Sequence, residues 1–213
     1  KYSSNTLNQN PNILKRYNMQ LRMLRPNLEN LPIIEIPDNY KLRTYQEGDD
    51  AHWAKIINAS FGSNRTAKGT HNEIIDCPQF PPDGLFFITQ NNQPIGTACA
   101  WKKDTNETEI GYLHMVGVKP NHSGHRLGKW VSLAVIHYFC DRSFKCVILE
   151  TDDFRLPAVK TYLNLNFVPV FVDTDHPERW KNLFQKLKLS ALPDQTNSIR
   201  SELSDSMLKR IYA

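Results

Sequence analysis

Residues 116–129 read VGVKPNHSGHRLGK, and this stretch decides the interpretation of the whole chain. An apolar strand ends here, a turn containing Gly124 follows, and an amphipathic helix then begins. The start of a helix leaves four backbone N–H groups without intrahelical partners and carries the positive end of the helix dipole. Arg126, Lys129 and protonated His125 add positive charge beside it. The stretch therefore fits a diphosphate, although an ordinary strand-to-helix turn with a solvated basic face has the same spacing.

The segments around this stretch alternate between strand and helix periods. From Tyr40 onward, apolar spacing and turn residues predict the order β α α β β β α β α β, with the three consecutive strands antiparallel. A further helix is predicted after Asp175, where Glu178 three residues on forms a capping-box arrangement. Four apolar residues then recur at intervals of four: Ile199, Leu203, Met207 and Ile211. Their stripe predicts a tail helix that either covers the domain edge or binds a partner.

Composition is that of a soluble globular domain. The chain has 213 residues, 40% hydrophobic and 23% charged, which is enough apolar material for one main domain with a sizeable core. The net charge of +4 is small and dispersed, which argues against nucleic acid and suits a modestly anionic ligand. The four cysteines lack metal-ligand spacing, and no apolar stretch reaches the ~18 residues of a membrane span. We expect a cytoplasmic protein without a metal site.

Within the quoted stretch, the spacing of Val118, Pro120 and Gly128 resembles the cofactor motif V-x-P-x-x-(Q/R)-x-x-G-x-(G/A) of the GNAT superfamily of acyl-coenzyme A dependent N-acyltransferases. Two positions depart from that motif. Ser123 stands where Gln or Arg is usual, and Arg126 stands where the first glycine is usual. The Arg126 side chain must therefore point away from the diphosphate-binding backbone or contact the phosphates itself. Neither departure removes the backbone N–H groups, so cofactor binding is the favoured interpretation.

A second signature of the same family, N-x-x-A-x-x-x-Y-x-x-x-G-F, is met by Ala158, Tyr162 and Phe167. Arg155 replaces its Asn, and Asn166 replaces its Gly. The resemblance agrees with the predicted order of segments and implies an α/β fold of the GNAT type. In that fold a mixed six- to seven-stranded central sheet is flanked by helices, and two strands splay apart at the acyl-CoA site. Two alternatives stay open for Arg155: contact with a phosphate or the pantetheine arm, or a surface position.

The resemblance covers about residues 40–172 and implies acetyl-CoA as the co-substrate. Backbone N–H groups at the end of the strand would place and polarise the thioester. The residues expected to bind the cofactor are Val116, Gly117, Val118, Ser123, Gly124, His125, Arg126, Leu127, Gly128, Lys129 and Arg155.

The family mechanism implied by the resemblance is direct attack of an amine on the thioester in a ternary complex. Tyr162 matches the general acid that protonates the departing sulfur, although a tyrosine on a helix stripe is more often a core residue. Two candidates for the base lie on the strand before the motif. His114 shares a face with Val116 and Val118 if strand alternation holds, and Glu109 lies further back. Relay through water to another carboxylate is the remaining alternative.

The sequence predicts three parts of the chain. Residues 1–37 form an N-terminal arm that packs on the domain or a partner, residues 38–190 form a GNAT acetyltransferase domain, and residues 191–213 form a C-terminal helical tail. The predicted function is acetyl transfer from acetyl-CoA to a primary amine of a small molecule or peptide. A non-catalytic acyl-CoA sensor or interaction module is the alternative. We expect no nucleic-acid or membrane partner, and a homodimer is compatible with the extensions.

Overall fold

The computed structural model describes residues 19–190, 199 and 201–213. Seven strands form one sheet: β1 (Leu21–Arg25), β2 (Tyr40–Thr44), β3 (Leu85–Gln90), β4 (Gln93–Trp101), β5 (Ile110–Val118), β6 (Cys146–Thr151) and β7 (Val168–Val170). Their order across the sheet is β2-β3-β4-β5-β6-β1-β7. Neighbouring strands are antiparallel except β5 and β6, which are parallel. The predicted mixed sheet is confirmed.

Helices flank the sheet: α1 (Asp50–Phe61), α2 (Ala67–Thr70), α3 (Leu127–Asp141), α4 (Leu156–Asn164), α5 (His176–Leu187) and α6 (Asp205–Tyr212). Helix α2 runs on into one π-helical turn. The order from β2 to β7 is the predicted one. The predicted capping box at α5 does not form, because the Asp175 side chain makes no cap hydrogen bond and instead pairs with Arg179. Among the described residues, no helix is long and apolar enough to cross a membrane.

The core lies on both faces of the sheet. Because side chains alternate along a strand, Phe87 and Ile88 of β3 face opposite sides. Ile88 belongs to a large buried cluster that includes Val131 of α3, whereas Phe87 packs with Trp53 and Ile57 of α1. Burial of each such side chain contributes about 1.5–3 kcal/mol. The central strands are therefore held between α1 on one face and α3 on the other.

Strand β1 corrects the predicted boundary between arm and domain at residue 37. All five of its residues are buried, and it pairs antiparallel with both β6 and β7. The sheet therefore includes part of the segment 1–37 that was expected to lie outside the domain. Residues 1–18 of that segment lie outside the described residues.

Two arginines in β1 are the reason that the sequence pattern missed this strand. Arg22 and Arg25 interrupt its apolar residues, and arginine is almost never buried unless it is paired. Both are paired here. Arg22 donates to Glu150 of β6, and Arg25 donates to the carbonyl oxygen of Leu165 after α4. The partners are far away in sequence, so no local pattern reveals them.

The predicted apolar stripe near the end of the chain is buried. Its four residues form a cluster with β1 and β6 residues such as Leu24 and Ile148: Ile199, Leu203, Met207 and Ile211. This part of the predicted tail 191–213 covers the sheet near β1, as one of the two alternatives stated. Residues 191–198 and 200 lie outside the described residues.

A bulge in β5 produces the predicted splay. Thr97 of β4 is opposite Gly117 and Cys99 is opposite His114, so β5 has one residue more than β4 between these pairs. Met115, within the bulge, has a positive φ of 51°. In the described structure, pairing of β5 with β6 is limited to the first three residues, up to Tyr112. Beyond that residue the two parallel strands diverge.

Candidate active site

A cleft of about 410 Å³ opens where β5 and β6 diverge, which is within the usual size range of ligand sites. The end of β5, the following turn, the start of α3 and one side of α4 form its walls. Its lining residues are Ala59, Ser60, Val116, Gly117, Val118, Pro120, His122, Ser123, Gly124, Arg126, Leu127, Gly128, Lys129, Arg155, Pro157, Ala158, Thr161 and Tyr162. All the residues expected to bind the cofactor line this cleft except His125, whose ring lies against Tyr40 at 5.7 Å between centroids.

The turn before α3 uses two left-handed residues. Gly124 has φ +88° and Arg126, the residue before α3, has φ +58°. Glycine adopts this conformation without cost, whereas a residue with a side chain pays roughly 1–2 kcal/mol. The conformation explains why a glycine is usual in the family motif at the position of Arg126. In the described part of the chain, no side chain caps the start of α3.

Gly128, in the first turn of α3, borders the cleft where a closely bound ligand would lie. A Cβ atom at Gly128 would meet only Val118 Cγ2, at 4.0 Å, so packing among the described residues does not require glycine there. Glycine inside a helix costs about 1 kcal/mol relative to alanine. The space that a Cβ would fill faces the cleft, beside helix N–H groups and positive side chains. The residues present therefore fit a diphosphate held against this backbone.

Arg155 occupies the wall between α1 and α4 rather than an open surface. Its Nε donates to Asp152 Oδ2 at 2.9 Å, and its guanidinium lies 3.9 Å from the centre of the Phe61 ring. Ser60 beside Phe61 donates from Oγ to the Val118 carbonyl oxygen at 3.0 Å. These contacts fix the end of α1 against the end of β5. Ser60 and Phe61 were not identified from the sequence, since neither signature includes them.

Tyr162 is buried on α4 and lines the cleft. Burial raises the pKa of its phenol well above the ordinary value, and the positive charge of Arg155 opposes this shift only in part. The phenol is therefore protonated at neutral pH. A protonated hydroxyl is the form that a proton donor needs.

His114 does not line the cleft, which corrects the expectation that it shares a face with Val116 and Val118. The bulge at Met115 breaks the alternation, so Val116 and Val118 pack with the α3 side of the core, opposite the face of His114. The His114 ring lies 5.5 Å from the Trp101 ring and 5.2 Å from the Tyr112 ring. Burial lowers its pKa to about 4, so the imidazole is neutral at pH 7 and is a weak base.

Glu109 lies outside the cleft as well. It precedes β5, at the end opposite the splay, and its carboxylate pairs with Arg210 of α6. At a rise of about 3.3 Å per residue, the strand places Glu109 roughly 20 Å from Val116. That distance removes Glu109 from consideration as the base.

A carboxylate that the sequence analysis missed, Glu150 of β6, lies beside the splay. Its Oε1 accepts from Lys103 at 2.7 Å and from Arg22 at 2.8 Å, and its Oε2 accepts from the Tyr112 hydroxyl at 3.1 Å. Burial would raise its pKa, but the hydrogen bonds from Lys103 and Arg22 prevail and lower it. Burial is the main cause that raises the pKa of the Tyr112 phenol, and Glu150 and, to a smaller extent, Tyr162 act in the same direction. The sequence feature that could have identified Glu150 is the presence of a carboxylate in the largely apolar strand Cys146–Thr151.

Metal binding has no support among the residues that the structure describes. They contain no group of three or more His, Cys, Asp or Glu side chains placed to hold an ion. The groups present in and beside the cleft are backbone N–H groups, the buried phenol of Tyr162 and the Glu150 carboxylate.

Comparison with known proteins agrees with this geometry. Residues 51–167 match the sequence profile described as "Acetyltransferase (GNAT) family". A mycothiol acetyltransferase of Thermomonospora curvata is 30% identical over 166 residues, covering 75% of this chain and 55% of that protein. A mycothiol acetyltransferase of Nocardia farcinica is 31% identical over 151 residues, covering 67% of this chain and 50% of that protein. The chain spans about half the length of these curated relatives.

A solved structure gives the same fold. The GCN5-related N-acetyltransferase from Sphaerobacter thermophilus superimposes with a TM-score of 0.59 at 16% identity, covering 75% of this chain and 52% of that one. At such low identity the likeness concerns the fold alone. The sequence profile, in contrast, matches more than half of the chain and includes both the turn before α3 and helix α4. The chain belongs to the GNAT acetyltransferase family.

Proposed function

We propose that the chain transfers an acetyl group from acetyl-CoA to a primary amine, by direct attack of the amine in a ternary complex. The observation that carries this proposal is the cleft at the splay, where the end of β5, the start of α3 and Tyr162 meet. Acetyl-CoA supplies an acetyl group activated as a thioester. The chain's own residues bind it, orient it and handle the two protons that the reaction moves.

Binding is assigned to backbone more than to side chains. Residues 123–129 hold the diphosphate through the N–H groups of the turn and of the first turn of α3, with Arg126 and Lys129 adding positive charge. Residues 116–118 present backbone to the cleft beyond the point where β6 stops pairing with β5. An N–H group of this segment that is not used in pairing with β4 would polarise the thioester carbonyl.

Proton transfer is assigned to two side chains, Tyr162 of α4 and Glu150 of β6. Tyr162 donates its phenolic proton to the departing sulfur. Glu150, held ionised by its hydrogen bonds, attracts the ammonium form of the acceptor. Its lowered pKa makes it too weak a base for the ammonium itself, so one proton leaves to water and the neutral amine attacks the thioester carbon. Glu150 then takes up the second proton from the nitrogen, which becomes acidic as it bonds to carbon, and after the sulfur has left, Glu150 releases this proton to solvent while Tyr162 regains one.

The acceptor is inferred to be a small molecule. The two relatives compared above carry the name mycothiol acetyltransferase, which favours a small-molecule acceptor over a peptide for this chain as well. The chain covers only about half of those proteins, so the acceptor must be identified on this chain directly.

The test is incubation with acetyl-CoA and a metabolite extract, followed by mass spectrometry for compounds that gain an acetyl group. We expect one or a few primary amines to be acetylated, and none in a reaction that lacks the protein. Calorimetry gives a second measurement, in which acetyl-CoA binds more tightly than ADP because only acetyl-CoA reaches residues 116–118. Tight acetyl-CoA binding without turnover of a broad amine panel would reject the transferase and leave the sensor.

A further inference from the structure

The Lys103 ammonium occupies a distinctive position beside the splay. Its Nζ donates to Glu150 Oε1 at 2.7 Å and lies 5.1 Å from the centre of the Tyr112 ring. A carboxylate and an aromatic face together make a favourable environment for a cation. The protein therefore already contains a bound primary ammonium at Glu150.

The two cations on Glu150 Oε1 differ in how firmly they are held. Arg22 lies in β1 with only 8% of its side chain exposed, and it also donates to the Ile211 carbonyl oxygen in α6. Lys103 follows the end of β4, and 45% of its side chain is exposed. An exposed lysine ion pair is worth about 0.2–1 kcal/mol, so it exchanges easily. Arg22 is thus a fixed part of the site, whereas Lys103 is replaceable.

We propose that Glu150 and the Tyr112 ring form the subsite for the acceptor's primary ammonium, and that Lys103 fills this subsite until the acceptor displaces it. The proposal rests on the proposed function, which it deepens by locating the acceptor's ammonium and by assigning Lys103 a competing role. Both ammonium groups would need the hydrogen-bond position on Glu150 Oε1 and the place beside the Tyr112 ring that Lys103 occupies, so the two cannot be bound together. The acceptor and Lys103 are therefore alternatives, and Lys103 acts as an internal competitor.

The hydrogen bond to Glu150 sets the selectivity of this subsite. A primary ammonium keeps three N–H donors, one of which replaces the bond from Lys103. A quaternary ammonium retains the attraction to the Tyr112 ring but has no N–H to donate. The subsite should accordingly prefer n-butylammonium over tetramethylammonium.

The experiment measures binding of n-butylammonium chloride by saturation-transfer NMR, with the full chain and without acetyl-CoA. Lys103→Met keeps the length of the side chain and removes its charge, and Lys102→Met is the matched control because Lys102 donates to the Thr105 carbonyl oxygen instead. We expect Lys103→Met to bind n-butylammonium about twofold to fivefold more tightly than wild type, the equivalent of one exposed ion pair. Lys102→Met should bind like wild type, and Glu150→Gln should lose the binding.

Melting curves accompany each variant so that unfolding is not mistaken for lost binding. Equal or weaker binding in Lys103→Met, or an equal gain in Lys102→Met, would overturn the proposal. So would equal binding of tetramethylammonium and n-butylammonium. The outcome is separable from that of the proposed function: tighter binding in Lys103→Met without acetylation of any amine supports the subsite and rejects the transferase. Acetyl transfer with no effect of Lys103→Met does the reverse.

Discussion

Strand β5 has a closed half, Ile110–Tyr112, which pairs with β6 and is tightly packed, and an open half, residues 113–118, which does not pair with β6. The first half, Ile110–Tyr112, pairs with β6, and Gly111 lies so close to Phe139 of α3 that a Cβ atom would come within 2.6 Å of its ring. The second half lies beyond the end of that pairing, and across from it Gly128 leaves open space. One strand thus anchors the core at one end and offers its backbone to a ligand at the other. The cleft exists because β6 stops pairing with β5 partway along the strand.

The largest expected effect is on turnover in the cleft beside the open half of β5, with no change in the packing of the closed half. In Tyr162→Phe the ring still packs in the core but has no proton to donate, so we expect kcat to fall by roughly 10² to 10⁴. Acetyl-CoA affinity and the melting temperature should stay near wild-type values. Steady-state kinetics with an identified acceptor and calorimetry provide the measurements. A kcat within about threefold of wild type is too small a change for a positioned acid and would leave Tyr162 as a packing residue.

The next largest effect is a loss of stability from a change in the closed half of β5. Gly111→Ala forces a methyl group against the Phe139 ring, and such overpacking typically costs about 1–3 kcal/mol of unfolding free energy. Denaturant unfolding measures it. If the variant is as stable as wild type, α3 is free to move away from β5, and the contrast between the two halves is weaker than the contacts indicate.

The smallest expected effect is a gain in stability. It comes from another glycine-to-alanine substitution, at Gly128 beside the open half of β5. Gly128→Ala adds a methyl group only at ordinary contact distance from Val118 and gains helix propensity, so the unliganded protein should be more stable by up to about 1 kcal/mol. Because the family motif accepts alanine at this position, acetyl-CoA affinity should stay close to the wild-type value, whereas Gly128→Glu, which adds bulk and negative charge beside the phosphates, should abolish binding. Calorimetry and denaturant unfolding of the same preparation separate the two effects. Unchanged affinity in a folded Gly128→Glu variant would locate the diphosphate elsewhere.

Local sequence patterns predicted the part of the fold that local interactions determine. The element order from β2 to β7 followed from apolar periods and turn residues, and the splay followed from the family resemblance. The cofactor motif is contiguous in sequence, so nearly all the residues expected to bind the cofactor came together at one cleft. His125 is the exception, because its ring packs against Tyr40.

What the sequence did not reveal depends on contacts between distant segments. Strand β1 was missed because the partners of Arg22 and Arg25 lie more than a hundred residues away. The orientation of His114 was wrong because the register shift opposite Met115 cannot be read from an apolar strand. Glu150 likewise gains its contacts from distant segments, since Lys103 and Tyr112 lie 47 and 38 residues away in sequence.

The position of β1 also governs the order in which the sheet can be completed during folding. Arg22 and Glu150 are 128 residues apart, and β1 lies between β6 and β7, which are late strands in the sequence. Closing so long a loop is costly in entropy before any contact rewards it, and folds dominated by such contacts form slowly. Until β1 is inserted, β6 and β7 both present unpaired edges that can recruit other chains. We therefore expect the refolding yield to fall as the protein concentration rises. In the native sheet β1 covers the edges of β6 and β7 that face it.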